Sequence, residues 1–198
     1  MEAGFHNPEA GTVRYAIIPE RSRFTVQAFA AGALAGFARN PTFAVRRFSG
    51  RLCLSPSPDG RSSIELTVQA DSLELLGEFG DKDRREISTR MLGEALETRR
   101  FPTITFSSTA IESAKITENR YRLRIPGRLF LHGVTRPVQI DARLQTAFRE
   151  TRLSGECTLS PSVFGIPRVA ALGGLIKLKD ELKFSFDLFA RREEGETR

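Results

Sequence analysis

The side chains best suited to chemistry are few and scattered. His6 and His132 are the only histidines, and His6 sits in the loose-looking stretch MEAGFHNPEAGTVRY. Cys53 and Cys157 are the only cysteines, each inside an alternating apolar pattern where a lone thiol behaves as a small hydrophobe. A nucleophile needs a base within hydrogen-bond reach, and a bound metal needs several converging donors. No HExxH, CxxC, GxSxG or P-loop spacing supplies either. The expectation is no catalytic residue, no metal, no cofactor and no enzyme, with one class left open. A hydrolase assembled from spatial neighbours leaves no mark in a sequence.

Smaller groups each have two readings. His132, beside Gly133, is placed either to meet a ligand's head group or to hydrogen-bond its own turn. Asp81-Lys82-Asp83 suits either a cation or the positive end of a helix, and the helix needs fewer assumptions. Phe164-Gly165-Ile166-Pro167, followed by Gly173-Gly174, reads either as a gate over an opening or as a long connection. GALAGF over 32–37 has paired glycines but lacks the strand and helix of a dinucleotide fingerprint.

The net charge of +6 is concentrated: residues 14–61 and residues 120–152 each carry eight Arg against two acids. Such regions attract phosphates, phospholipid headgroups or nucleic acid, or they simply solvate the outer faces of strands. A nucleic-acid binder interleaves exposed aromatics with its cations. This chain has no Trp, only two Tyr, and most of its Phe on apolar positions, so solvated strands are the simpler reading and no nucleic acid is expected.

The elements that must position these groups are mainly strands. Ile125, Gly127, Leu129 and Leu131 alternate with Pro126, Arg128, Phe130 and His132. After a short Gly-containing break, Val138, Ile140, Ala142 and Leu144 alternate with Gln139, Asp141, Arg143 and Gln145, which predicts a hairpin with one apolar face. Similar patterns run through Tyr15–Ile17, Phe24–Ala28, a long strand from about Phe43 to Leu54, Ile64–Ala70, Ile104–Ser108, Leu153–Leu159 and Leu182–Leu188. Gly50 marks a bend of the long strand. AFAAGALAGFARNP is either a short helix or a compact loop. One helix is predicted over about 84–97, with Asp83 as N-cap, Glu86 completing a capping box, and Ile87, Met91 and Ala95 as its stripe. The sum is an all-β, antiparallel lipocalin-like barrel of about eight strands with one packed helix, as a single domain over 13–190. Residues 1–12 are expected to be a flexible tail and 191–198 a charged one. No apolar run approaches the ~20 residues of a membrane helix, and no signal segment is visible, so a cytoplasmic protein is expected.

Several motifs resemble the YceI-like family of lipid- and polyisoprenoid-binding proteins. They are Tyr15-Ala16-Ile17 with Ser22-Arg23-Phe24-Thr25-Val26, Asp83-Arg84-Arg85-Glu86-Ile87, FPTITFSS from Phe101, GRLFLHGVTRPV from Gly127, and Phe164-Gly165-Ile166. The resemblance implies a lipocalin-like barrel whose lumen accepts a long isoprenoid chain, with carriage rather than catalysis as the activity. The family's second strand often shows a His before the Ser and another at its end; here those positions read Arg21 and Phe29-Ala30.

Strand parity names the residues that would line such a lumen: Phe24, Val26, Leu66, Val68, Ile104, Phe106, Leu129, Leu131, Val138, Ile140, Phe184 and Phe186. For the head group the candidates are Arg84, His132, Arg136 and Arg168. The partner expected is an isoprenoid or similar lipid-like molecule, with a homodimer left open. Two rivals stand beside this reading: a protein–protein module with a filled barrel core, and an anion or nucleic-acid binder using the Arg-rich regions. Parity alone does not distinguish a hollow lumen from a solid core.

Overall fold

Successive side chains on a strand point to opposite faces, so each alternating segment turns one apolar row toward its neighbours' rows. The computed structural model describes residues 12–31, 40–55, 61–167, 170–171 and 176–193. Its strands in chain order are β1 (Val13–Ile17), β2 (Arg23–Ala31), β3 (Thr42–Val45), β4 (Phe48–Leu54), β5 (Ser63–Gln69), β6 (Leu73–Leu76) and β7 (Thr103–Ser108). The rest are β8 (Glu112–Thr117), β9 (Arg120–Leu131), β10 (Val134–Thr146), β11 (Glu150–Leu159), β12 (Ala170–Ala171) and β13 (Ile176–Arg192). The barrel runs β1-β4-β5-β7-β9-β10-β11-β13, antiparallel throughout, and closes where Tyr15 pairs with Arg192 and Ile17 with Ala190. Closure leaves the eight-stranded ring no free edge. The expected eight-stranded antiparallel barrel is what forms.

Three of its staves are bent rather than straight. The stretch expected as one strand from Phe43 to Leu54 breaks at Arg46-Arg47 into β3 and β4, because Ser72 captures the backbone there. Arg46 N–H donates to the Ser72 carbonyl (3.1 Å) and Arg47 N–H to its hydroxyl (3.0 Å). Short 3₁₀ turns at Pro19–Arg21 and Ala70–Ser72 divide β1 from β2 and β5 from β6. Above these corners β2, β3 and β6 continue the wall, with β2 paired to the first half of β13. The AFAAGALAGFARNP segment begins as strand, up to Ala31, and its residues 32–39 lie outside the described ones.

The helix differs from its forecast at both ends. Helix α1 covers Asp81–Thr89 and passes into a wider π-helical turn over Arg90–Ala95. Gly80, not Asp83, is the N-cap, and Asp83 sits inside the first turn without a capping bond. The start is pulled forward by Arg84, whose guanidinium donates to the carbonyls of Leu75 and Gly77, both at 2.6 Å. Those bonds lash the first turn to the end of β6. Three strands, β6, β8 and the two-residue β12, have no counterpart in the sequence reading. Every residue of β8 is exposed, so no apolar periodicity marks it.

The hairpin between β9 and β10 closes through His132-Gly133, with φ of 52° and 76°. Positive φ at both central residues is the two-residue geometry that matches strand twist. The end of the barrel opposite this turn is solid: Leu52, Leu123, Ile125 and Ala190 are at most 1% exposed.

Candidate functional site

At the end that carries the His132-Gly133 turn and α1, the inward rows do not meet. They enclose a cavity of about 540 Å³, within the range of small-molecule sites. The structure places all twelve parity-selected residues on its wall: Phe24 and Val26 from β2, Leu66 and Val68 from β5, Ile104 and Phe106 from β7, Leu129 and Leu131 from β9, Val138 and Ile140 from β10, Phe184 and Phe186 from β13. The lumen is thus neither fully hollow nor filled throughout. Large residues near Leu52 and Leu123 form a floor, and the space above it is open.

Two inward glycines shape the aromatic part of that wall. A Cβ on Gly155 would come within 2.8 Å of the Phe186 ring and 2.6 Å of the Asp141 carbonyl. One on Gly127 would collide with the Phe106 ring. Each missing side chain lets a neighbouring phenyl ring lie against bare backbone. Phe24 meets Phe48 edge-on at 6.0 Å and Phe184 at 6.4 Å, extending the aromatic wall.

The helix supplies the side of the cavity that strand parity could not name. Ile87, Met91, Ala95 and Leu96 face the lumen with Phe79 just before the helix. Their stripe was visible at helical spacing, but what it packs on is a tertiary fact. Polar groups appear at the rim: Asp83, Glu86, Arg90, Lys179 and Asp180. Arg90 pairs with Glu86 at 3.0 Å, and Asp180 accepts from the Ser162 N–H at 2.9 Å and from its hydroxyl. On the wall itself Cys157 is the sole thiol among the described residues, and burial pushes it up to about 11.

Among the described residues, the head-group candidates Arg84, His132 and Arg136 are not brought together at the cavity. Arg84 is spent on the backbone carbonyls of β6 and its following loop. Arg136 points outward, with its Nε donating to the Val163 carbonyl (3.1 Å). His132 is buried away from the lumen, between Glu97 and Phe164. Arg168 lies outside the described residues, as do Gly173 and Gly174. Phe164-Gly165-Ile166 is an anchored turn: Phe164 is 1% exposed and packs with Leu131 and Ile166, while Gly165 takes φ 72° to end the 3₁₀ turn Pro161–Phe164. Ile166 and Pro167 border the cavity.

The described residues hold no cluster of three or more His, Cys, Asp or Glu able to bind a metal. None of their helices is long and apolar enough to cross a membrane.

A YceI-like domain matches residues 15–190. BcnA from Burkholderia cenocepacia is 18% identical and superposes with a TM-score of 0.66 over 87% of this chain and 98% of its own. A polyisoprenoid binding domain from Saccharophagus degradans is 12% identical, with a TM-score of 0.63 over 90% and 98%. A YceI protein from Campylobacter jejuni is 15% identical, with a TM-score of 0.55 over 76% and 84%. No curated protein matches the sequence.

Proposed function

The chain belongs to the YceI-like domain family, and from that premise we propose that it binds and carries an isoprenoid or similar lipid-like molecule in the upper lumen, without acting on it chemically. The observation that carries this reading is the roughly 540 Å³ apolar cavity above a packed floor. A hydrocarbon chain asks for no directional contacts, and this wall offers almost none. Burying about fifteen carbons at ~0.8 kcal/mol each gives roughly 12 kcal/mol gross. After an association cost of about 4 kcal/mol, micromolar affinity remains. Carriage rather than catalysis fits the wall's chemistry, which is aliphatic and aromatic carbon plus one thiol held protonated. The name borne by the Saccharophagus degradans domain supports the ligand class. A filled protein–protein module is disfavoured by the open space.

The test is extraction of the purified protein with organic solvent, followed by mass spectrometry, and titration with the fluorescent polyene cis-parinaric acid. A stoichiometric prenyl or acyl compound, or saturable micromolar binding of the polyene, is expected. An empty extract together with no binding overturns the proposal.

A further inference from the structure

His132 lies buried between two acceptors. Its Nε2 is 3.1 Å from Oε1 of Glu97, and its Nδ1 is 3.3 Å from the Phe164 carbonyl oxygen. A neutral imidazole has one N–H; it can donate to one partner and must turn a lone pair toward the other. Imidazolium alone satisfies both, and the Glu97 carboxylate supplies the compensating charge. The Phe101 ring packs 4.5 Å from the imidazole. Two cations stand nearby: Arg100 shares the Glu97 carboxylate, reaching its other oxygen at 3.5 Å from above the Phe101 ring, and Arg136 is held on Val163. Gly165 contributes only backbone near Nδ1.

Glu97 follows the end of the helix, and Phe164 ends the 3₁₀ turn. Both segments border the cavity, through Ala95 and Leu96 on one side and Pro161 and Ile166 on the other. One ring, on the β9–β10 turn, therefore ties together two separate parts of the cavity wall. We propose that protonated His132 is a latch joining these segments, and that loss of its proton as pH rises frees the Phe164 turn, the neutral ring keeping its one N–H for the Glu97 carboxylate, and so speeds exchange of the bound molecule. The sign follows from the donor count: both bonds are present when the ring is charged, and one is lost when it is neutral. The exchange step rests on the lipid-cavity reading, whereas the latch is measurable without any ligand.

Imidazole ¹⁵N NMR on the full chain reads the ring directly. Both His132 nitrogens are expected at imidazolium shifts at the acid end of a pH series and at neutral-ring shifts at its alkaline end. Over the same range, amide-exchange protection at Gly165 and Ile166, corrected for intrinsic rates, should fall about fivefold, the worth of one hydrogen bond. Glu97→Gln should flatten that profile. A ring that is neutral across the whole series, or protection unchanged with pH, overturns the latch. If cis-parinaric acid binds but leaves at the same rate at both ends of the series, the gating is overturned and the cavity reading survives. If it does not bind, the exchange step falls with the cavity reading, while the amides still decide the latch.

Discussion

The ring of Phe106, on β7, lies over Gly127 of β9, so close that a methyl group on the glycine would overlap it (2.5 Å to Cζ) and also press the Ser107 carbonyl at 2.7 Å. Gly127 occupies an inward position between Ile125 and Leu129, where a side chain would run into the Phe106 ring. The gap in one strand's row is filled by the aromatic ring of its neighbour. The wall of the cavity is therefore set by a glycine as much as by the large residues beside it.

Gly127→Ala should cost roughly 1–3 kcal/mol, because the added methyl meets a backbone oxygen that cannot step aside. The measurement is the urea midpoint at unchanged slope. A midpoint equal to that of the parent would show that β7 and β9 separate freely and that the Phe106–Gly127 contact carries no weight.

Ile140 lines the cavity from β10, partly buried and packed against the core. Ile140→Trp should fill part of the open space, weaken cis-parinaric acid binding at least tenfold, and leave the fold intact. The chain has no native Trp, so the new indole is its own reporter, with blue-shifted emission if it points into the lumen. Red-shifted emission with unaltered binding would place the site elsewhere.

Cys157 lends a pH test. Burial pushes its thiol from an ordinary value near 9.0 up to about 11. Because the folded value is raised, the thiol's contribution to stability is complete below pH 9 and disappears as pH climbs toward 11. The urea midpoint should therefore drop across that window, and Cys157→Ala should remove this part of the drop. At pH 8 only about one thiol in a thousand is thiolate, so iodoacetamide should label Cys53 well before Cys157. Equal labelling rates would mean that the wall around Cys157 is open to water.

Much of the barrel was legible because a half-buried strand must alternate. Phe24, Leu66, Ile104, Leu129 and Phe184 carry that parity in plain view, and each lies on the cavity wall. Strand β8 was illegible because both its faces are exposed, and a segment that buries nothing leaves no pattern. The break at Arg46-Arg47 left only a one-residue slip in the pattern, from buried Phe43 and Val45 to buried Phe48 and Leu52, and the bonds that make the corner come from Ser72, distant in sequence. Arg84 shows the same limit at the site. A cation near a helix start was a fair head-group candidate, but whether it faces ligand or backbone carbonyl depends on where β6 ends.

Local chemistry alone dictated an apolar row on most strands, a tight turn at His132-Gly133 and a helix with one greasy stripe, since periodicity and backbone conformation are written residue by residue. Folding in three dimensions decided that Leu52 and Leu123 close one end while the other stays open, that His132 is clasped between Glu97 and Phe164, and that Arg84 and Arg136 are bonded to backbone carbonyls. These depend on distances between segments far apart in the chain, and no local pattern encodes such a distance.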